Sequence, residues 1–182
     1  METKQNTNEV EEKETLGGFL ATLMLYIGIA LIIRFFVFNI TSVEGTSMIP
    51  SLQDGDRLIT NKIVLFLREP RHGEIVVVKA PNGSGSDYIK RIIGLPGDHI
   101  KIVDGQVYRN DEMLMEHYTS SDNTQTEYQN EWVVEEDSVF VLGDNRLPGG
   151  SNDSRLFGTI PMDDVRGVSM FRIWPLDHFG TL

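Results

Sequence analysis

The sequence predicts a mainly β protein behind one N-terminal membrane-spanning helix, and three observations carry that prediction. Residues 16–33, LGGFLATLMLYIGIALII, contain no charged side chain. Beyond residue 40 the pattern changes to short apolar, β-branched runs closed by glycine, proline and aspartate. Within HIKIVDGQVYRND, residues 99–111, the pair Asp104-Gly105 separates two alternating segments, which is a strong hairpin signal.

Taken in order, residues 1–15 (METKQNTNEVEEKET) are polar and glutamate-rich, and predict a disordered acidic tail. A helix over 16–33 would be about 27 Å long, close to a hydrocarbon thickness of about 30 Å. Arg34 can reach the headgroup layer while the phenylalanines of FFVF, 35–38, sit at the interface. The run is too long for a cleaved leader, lacks a basic start and is followed by no small-x-small site, so residues 16–38 are read as one retained anchor. Residues 39–182 form the expected β domain. Its strands are GEIVVVKAP (73–81), YIKRIIGLPGD (88–98), the hairpin at 99–111, EWVVEEDSVFVLGD (131–144) and VRGVSMFRIWP (165–175). A folded-over antiparallel sheet or small barrel fits them, with an inserted subdomain at roughly 98–135. Residues 112–131 are polar and irregular, and read as an extended loop of that insertion.

Composition narrows the function. The net charge is −11 and the pI about 4.7, which disfavours nucleic acid as a partner. There is no cysteine, so disulfides, zinc–thiolate sites and cysteine catalysis are excluded. The four histidines, His72, His99, His117 and His178, show no metal-ligand spacing, and no metal or cofactor is expected.

Three stretches suggest chemistry. EGTSMIPSL, 44–52, presents Ser47 in a glycine- and proline-bounded turn soon after the apolar run. Eight residues link Ile40 to Ser47, at most about 26–29 Å of chain, so the serine is tethered near the bilayer surface. That tether raises the effective concentration of a membrane-bound substrate and does nothing for a soluble one. A serine needs a base to act as a nucleophile, and a desolvated, neutral lysine can serve. In YIKRII, strand alternation puts Lys90 on a face with Tyr88 and Ile92, while Arg91 points the other way. VLGDNRLPGGSNDSRLFG, 141–158, crowds Asp144, Arg146, Asp153, Arg155, Ser151 and Ser154 around four glycines beside an apolar strand. That density suggests a hydrogen-bonded network supporting a site.

Together these blocks resemble the bacterial type I signal peptidases of the Gram-positive kind, from the anchor to about residue 174. The resemblance implies two antiparallel-sheet subdomains, a cytoplasmic N-terminus and a catalytic domain outside the cytoplasm. It implies cleavage of signal peptides from secreted preproteins after small residues at the first and third positions before the cut. The lipid bilayer and the protein-secretion machinery would be partners. By motif position it makes Ser47 the nucleophile and Lys90 the general base, with Ser151 hydrogen-bonded to Lys90 to orient it. Asp153 and Arg155 would form a supporting ion pair, Asp144 would pair with Arg91, Met48 would lie beside the substrate cleft, and the Ser47 amide would donate to the oxyanion. Two departures stand out. Some members carry a serine two residues before the nucleophile as a second oxyanion donor, where this chain has Gly45; Thr46 is a candidate only by proximity. Four residues, Leu147 to Gly150, separate Arg146 from Ser151 where two are usual.

Two other readings compete. Serine–lysine autoproteases of the SOS-repressor type share the G-x-S-M idea, but they are soluble and carry a DNA-binding domain, against which the anchor and acidic tail argue. A catalytically weak or silent paralogue would bind preproteins or a secretion partner without cutting.

Overall fold

The computed structural model describes residues 16–31 and 38–182. The expected tail, 1–15, and the end of the apolar run, 32–37, lie outside the described residues. Helix α1 covers residues 16–31. No helix among the described residues is long and apolar enough to cross a membrane. The chain up to Phe38 and the unit Asn39–Leu182 are separate bodies.

The second unit is mainly β, as the sequence predicts. Its larger sheet runs β1 (Phe38–Ser42), β2 (Arg57–Asn61), β11 (Val165–Trp174), β3 (Ile75–Lys79), β4 (Asp87–Gly94), β9 (Ser138–Leu142) and β10 (Ile160–Pro161), with β12 (Gly180–Thr181) also on β11. A smaller sheet orders β7 (Glu112–Met113), β6 (Gln106–Arg109), β5 (His99–Val103) and β8 (Glu131–Val133). The helices of this unit are single turns, α2 (Val64–Leu67) and α3 (Ser154–Phe157), plus two 3-10 turns.

Local sequence explains most of this. Val103 pairs with Gln106 across Asp104 and Gly105, both at positive φ (50° and 79°), which is the backbone an Asp-Gly two-residue hairpin turn requires. In β9 every residue of SVFVL is buried, because the strand has core on both faces. Val139 and Val141 join Val76, Val78, Ile92, Ile160 and Val168. Phe140 and Leu142 join Ile93, Ile100, Val107, Trp132 and Val134, which seats the smaller sheet on the back of β4 and β9. Trp132 and Phe140 rings lie 4.9 Å apart, within the range of a favourable aromatic pair. The segment 131–144 thus supplies two strands, one to each sheet.

A third cluster, Val43, Met48, Leu52, Leu58 and Ile75, lies under the Ser47 turn, with Ile89 packed against it. Leu58 belongs to β2, which the sequence pattern did not single out. RLITN is only five residues long, and just Leu58 and Thr60 are buried.

Candidate active site

The turn that carries Ser47 is anchored at both ends. Val43 N–H donates to Asp56 O (2.8 Å) and Gly55 N–H to Val43 O (2.9 Å). Gly45 lies at φ +86°, a backbone region that L side chains resist, and its N–H donates to Asp54 Oδ1 at 2.7 Å. Ile49 N–H then donates to Thr46 O (3.2 Å), closing a β-turn with Ser47 as its second residue. Met48 is buried and ties this turn to the core.

Strand β4 brings the lysine. Lys90 pairs with Val76 and shares its face with Tyr88 and Ile92, both packed against the first core cluster. Only 3% of Lys90 is exposed. Its Nζ lies 2.8 Å from Ser47 Oγ, donates to Ile89 O at 3.0 Å, and sits 5.1 Å from the Tyr88 ring centre. Burial pushes its pKa from 10.5 down to about 8; the negative charges of Asp153 and Asp144 oppose the shift and Arg155 adds to it. An amine that titrates there is partly neutral near neutral pH and fully neutral in mild alkali, so it can accept a proton.

The glycine-rich segment forms the network its composition predicts. Arg91 holds Asp144 through two bonds, Nε to Oδ1 at 2.8 Å and Nη2 to Oδ2 at 2.6 Å. Arg155 holds Asp153 in the same way at 2.8 Å and 2.8 Å. Asp153 also caps α3 and accepts from Gly143 N–H at 3.0 Å. Ser154 Oγ accepts from Val141 N–H at 2.9 Å. Arg146 is fully buried, donating to both oxygens of Glu116 (2.8 and 2.6 Å), to Thr124 Oγ1 (2.9 Å) and to Gly143 O (2.8 Å).

One expected contact is not formed. Ser151 Oγ is buried and has no hydrogen-bond partner among the described residues, so it does not bond Lys90. The extra residues are absorbed locally, since Gly150 N–H donates to Leu147 O (2.9 Å) and closes a tight exposed turn. The Ser151 side chain packs against Gly143. A Cβ on Gly143 would lie 2.2 Å from Ser151 Oγ and 2.4 Å from Ser47 O. Lys90 meets Ser47 and the Ile89 carbonyl instead.

The loop at 112–131 contributes more than its composition suggests. Tyr118 stacks over the Arg91 guanidinium at 4.0 Å, Thr119 bridges Pro50, and Ser120 N–H donates to Asp144 O (2.9 Å). One signal pointed to this. Asp144 and Asp153 already have arginine partners in Arg91 and Arg155, which leaves Arg146 needing a carboxylate from elsewhere, and Glu116 supplies it.

A groove of about 840 Å³ runs beside these strands, lined among others by Asn39, Thr41, Val77 and Asp87. Neither Ser47 nor Lys90 lines it, but Asp87 belongs to the same strand as Lys90.

The family model described as "Signal peptidase, peptidase S26" matches residues 16–174. The chain belongs to that family. It is 35% identical to signal peptidase I T of Bacillus subtilis (strain 168), over 98% of this chain and 97% of that one. Against signal peptidase I of Bacillus licheniformis it is 34% identical over 98% of this chain and 97% of the relative. With the probable signal peptidase I-2 of Synechocystis it shares 40% over 92% of this chain and 76% of the relative. Its activity is that of signal peptidase I, a serine endopeptidase that cleaves signal peptides from preproteins. In this signal peptidase, Ser47 and Lys90 are a serine and an amine within hydrogen-bonding distance, the latter buried and titrating low.

Proposed function

We propose that Ser47 is the nucleophile of this peptidase and Lys90 its general base. The reading rests on one observation, the 2.8 Å approach of a buried lysine amine to the Ser47 hydroxyl. Neutral Lys90 takes the Ser47 proton as Oγ attacks the scissile carbonyl carbon. The Ser47 N–H, which donates to no acceptor among the described residues, faces the developing oxyanion. As the tetrahedral intermediate collapses, the C–N bond breaks and Lys90 gives its proton to the leaving amine. Lys90 then takes a proton from water, and the resulting attack releases the new carboxyl terminus and restores Ser47.

In this account Asp144–Arg91 and Asp153–Arg155 fix the strands on either side of the dyad, and Met48 backs the nucleophile turn from the core. The enzyme cuts after small side chains at the first and third positions before the cut. The apolar run 16–38 holds the enzyme in the cell membrane with its N-terminus cytoplasmic, and residues 39–182 act outside the cytoplasm on secreted preproteins delivered there. Cleavage of a preprotein by the wild type, Ser47→Ala and Lys90→Ala tests the dyad. Both variants should fold and neither should cut, because nucleophile and base act as one unit. Cleavage by Lys90→Ala within about tenfold of wild type would mean that another base operates.

A further inference from the structure

Asn145 touches neither Ser47 Oγ nor Lys90, yet it holds both peptide groups that flank the serine. Its backbone N–H donates to Ser47 O at 3.0 Å, and its side-chain Nδ2 donates to Thr46 O at 3.0 Å. The Asn145 amide is itself fixed. Its Oδ1 accepts from Ser120 Oγ (3.1 Å) and from Leu147 N–H (3.3 Å). Leu147 N–H can only donate, so it sets which end of the carboxamide is oxygen and leaves Nδ2 facing Thr46. Ser120 is in turn held by Arg146 N–H, which donates to its Oγ at 2.9 Å.

The geometry of a peptide gives this clamp a consequence. The Thr46–Ser47 bond is trans, so Thr46 C=O and Ser47 N–H lie in one plane and point in opposite directions. A group that fixes the carbonyl fixes the direction of the amide. Thr46 O also accepts from Ile49 N–H within the turn (3.2 Å), the longer of its two bonds, and Asn145 is the one holder that comes from outside the turn. We infer that Asn145 is a positioning residue that aims the Ser47 N–H at the oxyanion, by fixing the turn through the Thr46 carbonyl. This rests on the reading of Ser47 as the nucleophile. Gly45 gives the aim more weight, because that position offers no hydroxyl to share the developing charge with the Ser47 amide.

The test uses the full-length chain and compares Asn145→Asp and Asn145→Ala with wild type. Asn145→Ala removes the donor to Thr46 without adding charge; Asn145→Asp keeps the shape, the acceptor for Ser120 and Leu147, and the backbone bond to Ser47 O, but turns a carboxylate oxygen toward Thr46 O and so disrupts the clamp by repulsion as well. Rates are taken per folded molecule, with folding read by circular dichroism. Expected for both variants is a ten- to hundredfold fall in kcat with KM unchanged, since losing one oxyanion donor outright costs about 10²–10³ in kcat and misaiming it costs less. A peptide aldehyde, which forms a tetrahedral adduct with the serine, should lose affinity by a factor similar to the loss in kcat. A merely structural role would not produce that match. Wild-type kcat and aldehyde affinity, or a rise in KM alone, would overturn the inference. If neither Asn145 variant folds, Ser120→Ala decides: a kcat loss of about threefold or more at unchanged KM supports the clamp, and wild-type kcat overturns it. Ser47→Ala is run beside them. Activity in that variant removes the nucleophile reading itself, whereas an inactive Ser47→Ala with fully active Asn145 variants removes only the clamp.

Discussion

Gly143→Ala is the smallest change that should disable the site without touching a proposed catalytic group. Gly143 follows β9 and lies where the Ser47 carbonyl and the Ser151 side chain converge. The added methyl would fall 2.4 Å from Ser47 O, 2.2 Å from Ser151 Oγ and 2.6 Å from Ser151 Cβ. Ordinary carbon contacts begin near 3.5 Å, so atoms must move by about 1 Å. Ser151 can yield only in part, and Ser47 O is backbone that Asn145 N–H already holds. Overpacking of this kind costs about 1–3 kcal/mol, which lowers Tm by several degrees in a chain of this size. A displacement of about 1 Å at the reacting serine costs about a hundredfold in rate. Thermal unfolding and kcat/KM on a preprotein would be measured together. Adding Ser151→Gly removes two of the three close contacts but not the one to Ser47 O, so the double variant should regain stability and not activity. Gly143→Ala with kcat/KM within about threefold of wild type would refute the reasoning that the Ser47 carbonyl is held against this glycine.

Lys90→Met should abolish cleavage yet raise Tm at pH 7. The folded lysine titrates near 8 and the unfolded one near 10.5, so between these values the unfolded chain binds more protons and stability rises with pH. The cost is therefore largest below pH 8, about 3 kcal/mol, and the gain in Tm from methionine should vanish above pH 10.5; a lower Tm at pH 7 counts against a desolvated amine. Asp153→Asn should move the acid limb of the kcat/KM profile to lower pH, because the Asp153 charge raises the Lys90 pKa and Arg155 lowers it. No shift would mean that the Asp153 charge does not act on Lys90. If residues 16–38 anchor the enzyme as proposed, deleting residues 1–38 should leave cleavage of short peptides nearly intact while sharply reducing cleavage of bilayer-embedded preproteins, since an anchor supplies proximity and not chemistry. Equal losses on both substrates would point to a structural role for that segment.

Much of this was legible in the sequence, for physical reasons. Alternation in YIKRII places Lys90 with Tyr88 and Ile92, and the structure keeps that face. Asp104-Gly105 fixes the register of its hairpin because few other pairs accept positive φ twice. The pairs Asp144–Arg91 and Asp153–Arg155 came with the family resemblance and are formed. The rest depends on contacts distant in sequence. Glu116 and Ser120 lie in a polar loop without periodicity, and only their meeting with Arg146 and Asn145 gives them a role. Asn145 sits within the noticed motif but shows its use only when Thr46 and Ser47 arrive from a hundred residues upstream. Ser151 is the converse case. Its position beside the site was legible, but its hydrogen bonding depends on how the turn at 147–150 closes, and its hydroxyl packs against Gly143 without bonding Lys90.

The central claim is that Lys90 is a neutral base at Ser47. A direct titration of its amine by nitrogen NMR, in the full-length chain carrying ¹⁵N-labelled lysine side chains, tests it without reference to any substrate. The Lys90 signal would be assigned by its loss in Lys90→Met. The account predicts a midpoint near pH 8, set by burial beside the serine hydroxyl. A midpoint near the ordinary lysine value of 10.5 would contradict it, because the amine would then remain charged wherever the enzyme works.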